Sequence, residues 1–117
     1  MNDTNSLDQR LPKKEIIHKR KEFSEIFQQG EHWRGKYLNF FFVESERRQI
    51  GFTVPRKLGK AVQRNRIKRL LREVYRKHRH EIGTYKIVVL ARREAVGITL
   101  WDVEEDFHQF LQNIRGK

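Results

Sequence analysis

The chain has 117 residues, no cysteine and a formal net charge of +11 at pH 7. This length suits one domain with an ordinary hydrophobic core, and the lack of cysteine excludes disulfides and thiolate chemistry. The apolar runs, such as FFFV, are too short to cross a bilayer, and no secretory signal is evident, so we expect a cytoplasmic protein. The charge predicts a polyanionic partner, nucleic acid rather than an anionic membrane surface; a solvated basic face without a partner is the alternative.

The first predicted helix follows a polar tail. Residues 1–12 predict a flexible segment, so that a single folded domain would span 13–117. Apolar side chains then recur within one arc of about 100° over 13–29, as they do on one face of a helix. Gly30 predicts the end of this helix. The apolar face consists of Ile16, Phe23, Ile26 and Phe27.

Three strands are predicted after this helix. Residues 31–34 give a short strand before a turn at Gly35. Aromatic and β-branched residues at 36–43 and 50–54 give two longer strands. The polar segment between the two longer strands predicts that they form a hairpin.

Side chains of the strand at 36–43 alternate between two faces of the predicted sheet. If helices cover one face only, the other set can form a platform on which unpaired bases stack. If helices cover both faces, every aromatic of the strand is a core residue. The two sets are Tyr37, Asn39 and Phe41 on one face and Leu38, Phe40 and Phe42 on the other.

The second half of the chain predicts two helices around a buried strand. Residues 60–80 predict a helix, and YKIVVLA at 85–91 predicts a strand that is apolar on both faces. Thr99 predicts the N-terminal cap of a last amphipathic helix at 100–115. The element order is therefore α-β-β-β-α-β-α, which predicts a single-domain α+β sandwich with helices packed on a sheet.

Most of the excess charge lies in one segment. Residues 56–79 contain eleven Lys or Arg and a single acid, Glu73. On a helical wheel, apolar residues occupy one face and nearly all of the cations occupy the other. Like charges one turn apart, such as Lys68 and Arg72, repel each other, so a phosphate-bearing partner explains this pattern better than folding does, although a solvated face is the alternative. Asn65 adds a donor and an acceptor suited to a base edge or a 2′-hydroxyl.

The sequence shows no catalytic constellation. The five histidines lack the spacing of metal ligands, and no Walker loop or GxSxG motif is present. Asp102 and Asp106 lie one turn apart on the last predicted helix and can hold a hydrated Mg²⁺, but surface acids favoured by the helix dipole are the simpler interpretation. The residues alone therefore favour a binding protein over a nuclease that acts by itself.

The string IGFTVPRKLGKAVQRNRIKRLLREVYR resembles the signature of the protein subunit of bacterial ribonuclease P. It contains the Arg-Asn-Arg motif of that family within KLGKAVQRNRIKRLLRE. The resemblance extends to KRKEFSEIFQQG before this string and to YKIVVLARREA after it, over residues 10–115. It implies an α-β sandwich like that of a small-subunit ribosomal protein domain, with a left-handed βαβ crossover through the basic helix.

The resemblance also implies an activity. In this family a catalytic RNA with Mg²⁺ removes the 5′ leader of precursor tRNA, while the protein binds both that RNA and the single-stranded leader. The expected partners are the RNA subunit and precursor tRNA, without a membrane, a small-molecule substrate or an obligate protein partner, and the protein alone would be inactive. Two other classes stay open: a structural RNA-binding protein such as a ribosomal component, and a metal-dependent nuclease that acts alone.

Matching positions carry the residue roles of the family to this chain. The residues that would contact the catalytic RNA are Arg64, Asn65, Arg66, Lys68, Arg69 and Arg72. The residues that would line the leader cleft are Phe23, Phe27, Phe41, Thr53 and Lys57. Pro55 departs slightly from the family pattern, and we expect no change of function from it.

Overall fold

A computed structural model describes residues 12–115 of the chain. The helices are α1 (Arg20–Gln29), α2 (Ala61–His78) and α3 (Leu100–Arg115), and the strands are β1 (Glu31–Arg34), β2 (Leu38–Glu44), β3 (Gln49–Thr53) and β4 (Tyr85–Ala91). Short 3₁₀ helices cover Lys13–Glu15, Arg56–Leu58, Arg79–Glu81 and Arg93–Ala95. The predicted α+β class and element order are confirmed. The predicted tail lies outside the described residues, except for Pro12.

The four strands form one sheet in the order β1-β2-β4-β3. β2 pairs antiparallel with both β1 and β4, whereas β3 and β4 are parallel and are connected through α2. The predicted hairpin between 36–43 and 50–54 is wrong, because β4 lies between these two strands. Ile87, Val88 and Val89 of β4 are all buried, and a strand buried on both faces favours such an inner position. The left-handed sense of the crossover through α2 stays a prediction.

The first helix is shorter than predicted. It begins at Arg20 rather than at residue 13, because the chain before it runs along the edge of the sheet. Ile16 forms a parallel bridge with Ile50, and the Ile17 N–H donates to the Ile50 carbonyl at 2.8 Å. This extended segment covers part of the backbone edge of β3 that would otherwise be unpaired.

Glu15 fastens the same segment to α2. Its carboxylate accepts a hydrogen bond from the Tyr75 hydroxyl at 2.9 Å and is bonded by the guanidinium groups of Arg48 and Arg79. Burial raises the pKa of Glu15, but the bonds from these three donors lower it by more, so that the pKa lies below its ordinary value. The buried carboxylate is therefore charged and paired at neutral pH.

The inner face of the sheet packs on α2 and α3. Leu38, Phe40 and Phe42 of β2 are almost completely buried there. Phe40 stacks on Phe110 of α3 with ring centroids 4.2 Å apart, and it meets Phe107 edge-on at 5.2 Å. Burial of these large rings makes this face the main hydrophobic core and confirms the predicted alternation from Leu38 to Phe42. Tyr37, which was predicted to share the opposite face with Asn39 and Phe41, precedes β2 and packs against this core instead.

The opposite, outer face of the sheet packs on α1 and the segment that precedes it. Ile17, Ile26 and Val88 form a small buried cluster, and Phe23 and Phe41 pack against it while staying half-buried. The outer set of β2 is thus neither fully open nor fully covered. The structure lies between the two alternatives that the sequence left open for this face.

Asp106 is buried, although the sequence analysis placed it at the surface. It is 3% exposed and accepts the backbone N–H groups of Lys36, Tyr37 and Leu38 at 3.2, 2.8 and 2.9 Å. Burial raises the pKa of Asp106, whereas these backbone donors act in the opposite direction. The carboxylate was misassigned because it holds the turn between β1 and β2, which the sequence places far from α3.

The start of α3 has the predicted cap. The Asp102 N–H donates to the Thr99 hydroxyl oxygen at 3.2 Å, and the Thr99 N–H donates to the Asp102 carboxylate at 3.0 Å. Both carboxylates of the pair considered for Mg²⁺ are therefore engaged with the backbone. This arrangement argues against a shared ion site between Asp102 and Asp106.

Candidate nucleic-acid interface

α2 separates its apolar and cationic residues as predicted. Ile67, Leu71, Val74 and Tyr75 are buried in the main core. The same helix carries the six residues called the basic face below, and their side chains are exposed or half-buried. The basic face consists of Arg64, Asn65, Arg66, Lys68, Arg69 and Arg72. Of the helices within residues 12–115, none is both long enough and apolar enough to cross a membrane.

Two arginines of the basic face are held near the start of α2. Arg64 Nε donates to the Gly59 carbonyl at 3.2 Å, and Arg66 Nη1 donates to the Ile98 carbonyl at 2.8 Å. Because Ile98 lies just before α3, Arg66 ties the starts of the two helices together. Each guanidinium carries five N–H donors, so both arginines keep donors for a ligand.

The other four residues of the basic face have no partner within the described chain. Between residues 12 and 115, the side chains of Asn65, Lys68, Arg69 and Arg72 form no hydrogen bond or ion pair. Lys68 and Arg72 lie one turn apart, a spacing at which like charges repel. The positive field of this surface is therefore not neutralised by the protein itself, as is typical of a surface that binds phosphates.

A glycine sets the entry into α2. Gly59 has φ = 141°, and a Cβ at this position would collide with the side-chain oxygen of Gln63. That oxygen accepts the Lys60 N–H at 2.8 Å and so satisfies one donor at the helix start. The N-terminus of α2, which is the positive end of the helix dipole, therefore comes just after Lys57 and Lys60 in the chain.

Three phenylalanines and a histidine form an aromatic cluster on the outer face. The Phe27 ring meets Phe41 edge-on at a centroid distance of 4.8 Å, and His32 stacks parallel on Phe41 at 4.5 Å. Phe23 lies over Gly51, where an added Cβ would collide with the Phe23 ring. Phe27 is 37% exposed, while Phe23 and Phe41 are half-buried. The cluster therefore presents ring surface to solvent, on which a base can stack.

Thr53 and Lys57 lie beside this cluster. Thr53 is two residues after Gly51 on the same face of β3, and the strand register aligns Asn39, Leu90 and Thr53 across β2, β4 and β3. These three half-buried residues are called the open row below. Lys57, in the turn after β3, lines a groove together with Asn39 and Leu90. All five residues predicted for the leader cleft therefore lie along one side of the molecule.

The chain matches the family model described as Ribonuclease P over residues 11–115. It belongs to the ribonuclease P protein family. The ribonuclease P protein component of Desulfovibrio desulfuricans is 39% identical over 109 residues, which cover 90% of this chain and 84% of that protein. The solved RNase P protein of Thermotoga maritima has a TM-score of 0.76 at 29% identity, covering 85% of this chain and 96% of that one. The solved RNase P protein of Staphylococcus aureus has a TM-score of 0.79 at 27% identity, covering 86% and 94%.

The ribonuclease P fold brings the two predicted groups of site residues to different surfaces. The basic face belongs to the helix layer on the inner side of the sheet, whereas the aromatic cluster and the open row lie on the outer side. The segment 54–60 connects the two, and Lys57 lies within it. A single-stranded RNA that follows the outer face can thus reach the start of α2.

Sequence reasoning missed His32 as a member of this ribonuclease P surface. Its only signal is the register of β1 and β2, which places His32 opposite Phe41. A four-residue strand gives too little alternation to show that pairing in advance. Sequence reasoning also gave Asn39 no role of its own, although it placed Asn39 correctly on the same face as Phe41.

Proposed function

We propose that this ribonuclease P protein binds the catalytic RNA of ribonuclease P through the basic face of α2. The observation that carries the proposal is the set of unpaired side chains at Asn65, Lys68, Arg69 and Arg72. Arginine holds phosphate oxygens with two parallel N–H bonds, and the asparagine amide suits a 2′-hydroxyl or a base edge. An RNA backbone supplies the negative charge that the protein does not.

We infer that the outer face holds the single-stranded 5′ leader of precursor tRNA. Leaders of varied sequence require binding without strict base reading, and stacking combined with phosphate contact provides it. Phe27 and Phe41 supply ring surface, and Lys57 supplies a positive charge at the end nearest α2. A base stacked on an aromatic side chain contributes about 1–3 kcal/mol to binding.

We assign the cleavage chemistry to the RNA subunit and its Mg²⁺, with the protein as an inactive component when alone. Within residues 12–115, no group of three or more His, Asp or Glu is placed to hold a metal ion. The described carboxylates at Asp102 and Asp106 are committed to backbone N–H groups. In this proposal the protein raises substrate affinity, because its cations offset the repulsion between two polyanionic RNAs.

The test is cleavage of a leader-bearing precursor tRNA at low Mg²⁺ concentration. The reaction is run with the protein alone, with a bacterial ribonuclease P RNA alone, and with both. We expect efficient cleavage at the leader junction from the mixture only. A protein that adds nothing to the RNA would favour the structural RNA-binding alternative, and cleavage by the RNA-free protein would favour a nuclease that acts alone.

A further inference from the structure

A pocket lies between the start of α2 and the segment that precedes α3. Its volume is about 300 Å³, at the lower end of the range of about 300–1,000 Å³ typical of ligand pockets. It therefore has room for one small planar group rather than for a longer segment of chain. Its lining residues are Leu58, Gln63, Arg66, Ile67, Val96 and Gly97.

The walls of this pocket are largely apolar, although the helix beside it is strongly basic. Leu58 and Ile67 are 5% and 2% exposed and belong to the main core, while the side chain of Val96 stays 56% exposed. A phosphate group loses hydration against such walls, whereas the flat face of a nucleobase buries apolar surface there. The walls therefore suit a base rather than a phosphate.

Two side chains bring hydrogen-bond donors to the pocket. Arg66 Nη1 donates to the Ile98 carbonyl at 2.8 Å, which holds the guanidinium in place and leaves its other N–H groups without a partner in the described chain. The Gln63 oxygen accepts the Lys60 N–H at 2.8 Å, and the NH₂ group of Gln63 has no acceptor within residues 12–115. Both side chains therefore present donors to a ligand, and no carboxylate is among the described residues that line the pocket.

We propose that this pocket holds one unpaired guanine of the catalytic RNA. The proposal rests on the binding of that RNA by the basic face, and the pocket continues this surface because Arg66 belongs to both. Proteins read RNA sequence mainly at unpaired bases that have left their stack.

The donors of the pocket select guanine among such bases. Guanine places two acceptors, O6 and N7, side by side, and an arginine bonded to them is the commonest specific contact to a base. Adenine carries an amino group in place of O6 and would direct a donor at the donors of Arg66 and Gln63. In this arrangement the base packs on Leu58, Ile67 and Val96, while its neighbouring phosphates meet the cations of the basic face.

The experiment measures how binding of the catalytic RNA depends on single N7 atoms. The full-length protein binds the ribonuclease P RNA of the same organism, in which 7-deazaguanosine, a guanosine without the N7 acceptor, replaces one guanosine at a time. A second set of RNAs carries 7-deazaadenosine in the same way. At one unpaired guanine we expect the analogue to weaken binding by the wild-type protein about 5- to 10-fold.

Gln63→Glu removes one donor and keeps the rest of the helix start. Its carboxylate still accepts the Lys60 N–H, but its second oxygen repels the acceptors of guanine, so the sensitivity to 7-deazaguanosine at that position should disappear. Val62→Glu is the matched control, because Val62 is the preceding residue, is 80% exposed and does not line the pocket. It adds the same charge, so it should weaken binding of every RNA alike and keep the sensitivity.

Val96→Glu is the second variant and replaces Gln63→Glu if thermal melting shows that the latter is unstable. The Val96 side chain is more than half exposed, so its replacement should leave the melting temperature unchanged, while a carboxylate in the apolar wall should also abolish the sensitivity.

Three results would overturn the proposal. The first is that no guanine is sensitive to the loss of N7. The second is that every sensitive guanine stays equally sensitive in both pocket variants, as it would if N7 served the structure of the RNA itself. The third is that the sensitivity which the pocket variants abolish lies at an adenine. Failure of the proposed function looks different, since unmodified RNA would then bind equally well when Arg69 and Arg72 are replaced by alanine.

Discussion

The basic face of α2 and the outer face of the sheet are two surfaces of one small protein that depend on its sequence in different ways. The basic face lies on a single helix, so the 3.6-residue period alone brings Lys68, Arg69 and Arg72 together. The outer face combines side chains from α1, β1, β2 and β3, and it exists only when the strands take the order β1-β2-β4-β3. A surface carried by one element can be inferred from periodicity, whereas a composite surface needs the topology.

The two surfaces also differ in how they are coupled to stability. The free cations of the basic face form no ion pair in the folded protein between residues 12 and 115, whereas Phe23 and Phe41 pack on a buried cluster. Substitutions on the basic face should therefore change RNA affinity and leave stability unchanged. Substitutions beneath or within the outer face should change both.

The largest effect is expected from Asp106, which holds the turn that leads into β2. Asp106→Asn keeps the shape but places an NH₂ group among backbone N–H donors, so we expect a loss of about 3 kcal/mol in the free energy of unfolding. Urea denaturation measures this loss. Glu105→Gln is the control, since Glu105 is exposed and, within residues 12–115, accepts a hydrogen bond only from the Gln109 side chain, at 3.3 Å. A loss below about 0.5 kcal/mol in Asp106→Asn would mean that the outer face does not depend on this anchor.

Substitutions in the basic face should weaken RNA binding without lowering the stability of the fold. Replacing Arg69 and Arg72 together by alanine is expected to weaken binding of the catalytic RNA by about 2 kcal/mol, because each variant position no longer offers charge-assisted bonds to phosphate. The dependence of log K on log salt should become shallower by about 0.7–0.9 for each phosphate that the variant no longer binds. Filter binding over a range of salt concentrations measures both quantities, and the melting temperature should not fall.

Arg47 provides the matched control for this pair. It is an exposed arginine in the connection between β2 and β3 and is not part of the basic face. Arg47→Ala should leave RNA affinity within about 0.5 kcal/mol of the wild type. If Arg47→Ala weakened binding as much as the substitutions on α2, the affinity would reflect total charge rather than the basic face.

Phe27 and Phe23 test whether the aromatic cluster acts in binding, in packing or in both. Phe27→Ala should weaken binding of leader-bearing precursor tRNA by about 1–2 kcal/mol, with little change for mature tRNA, since a partly exposed ring is removed. Phe23→Ala should show the same selectivity and should also lower stability, because its ring lies over Gly51. Affinity for both RNAs and thermal melting give the comparison. An equal loss for precursor and mature tRNA would place these rings outside the leader site.

The strand order shows why part of the fold could not be predicted from the sequence. The bounds of β4 and α3 agree with the prediction, because an apolar run and a capped amphipathic stripe are local signals. The prediction of a hairpin was wrong because a polar segment shows only that β2 and β3 are close in sequence. In the folded sheet β4 lies between these two strands. The predicted start of α1 was wrong because the apolar residues at 16 and 17 suit an edge strand as well as a helix.

The candidate site likewise has a part that local sequence patterns predict and a part that depends on contacts between distant elements. The helical period predicted the exposed side of α2 for five residues of the basic face, Asn65, Arg66, Lys68, Arg69 and Arg72. Arg64 was assigned to this face through the family resemblance, and the residues predicted for the leader cleft lie on one side of the molecule. The burial of Asp106 and the stacking of His32 on Phe41 depend on contacts between distant elements, which no local pattern contains. The pocket beside Arg66 belongs to the same class, since its walls come from α2, from Leu58 and from the segment before α3.

The smallest expected effect concerns His78 at the C-terminal end of α2. Unlike Lys68, Arg69 and Arg72 of the basic face, His78 is paired with carboxylates. His78 Nδ1 lies 2.7 Å from Glu81, and His78 Nε2 lies 3.0 Å from Glu104 of α3. Burial lowers the pKa of His78, but the two carboxylates raise it by more, so that the net pKa lies above its ordinary value.

Protonated His78 should therefore stabilise the fold in a pH-dependent way. A raised folded-state pKa gives a contribution that is complete below the unfolded pKa of about 6.5 and is lost as pH rises through the folded pKa. We expect wild-type stability to exceed that of His78→Gln by less than about 1 kcal/mol at low pH, with the difference shrinking as pH rises through this window. Thermal melts across this range measure the difference. A difference in stability that stays constant with pH would show that the imidazole acts by packing alone. The ion pairs of His78 would then not distinguish this end of α2 from the basic face in stability, and the two would differ only in RNA binding.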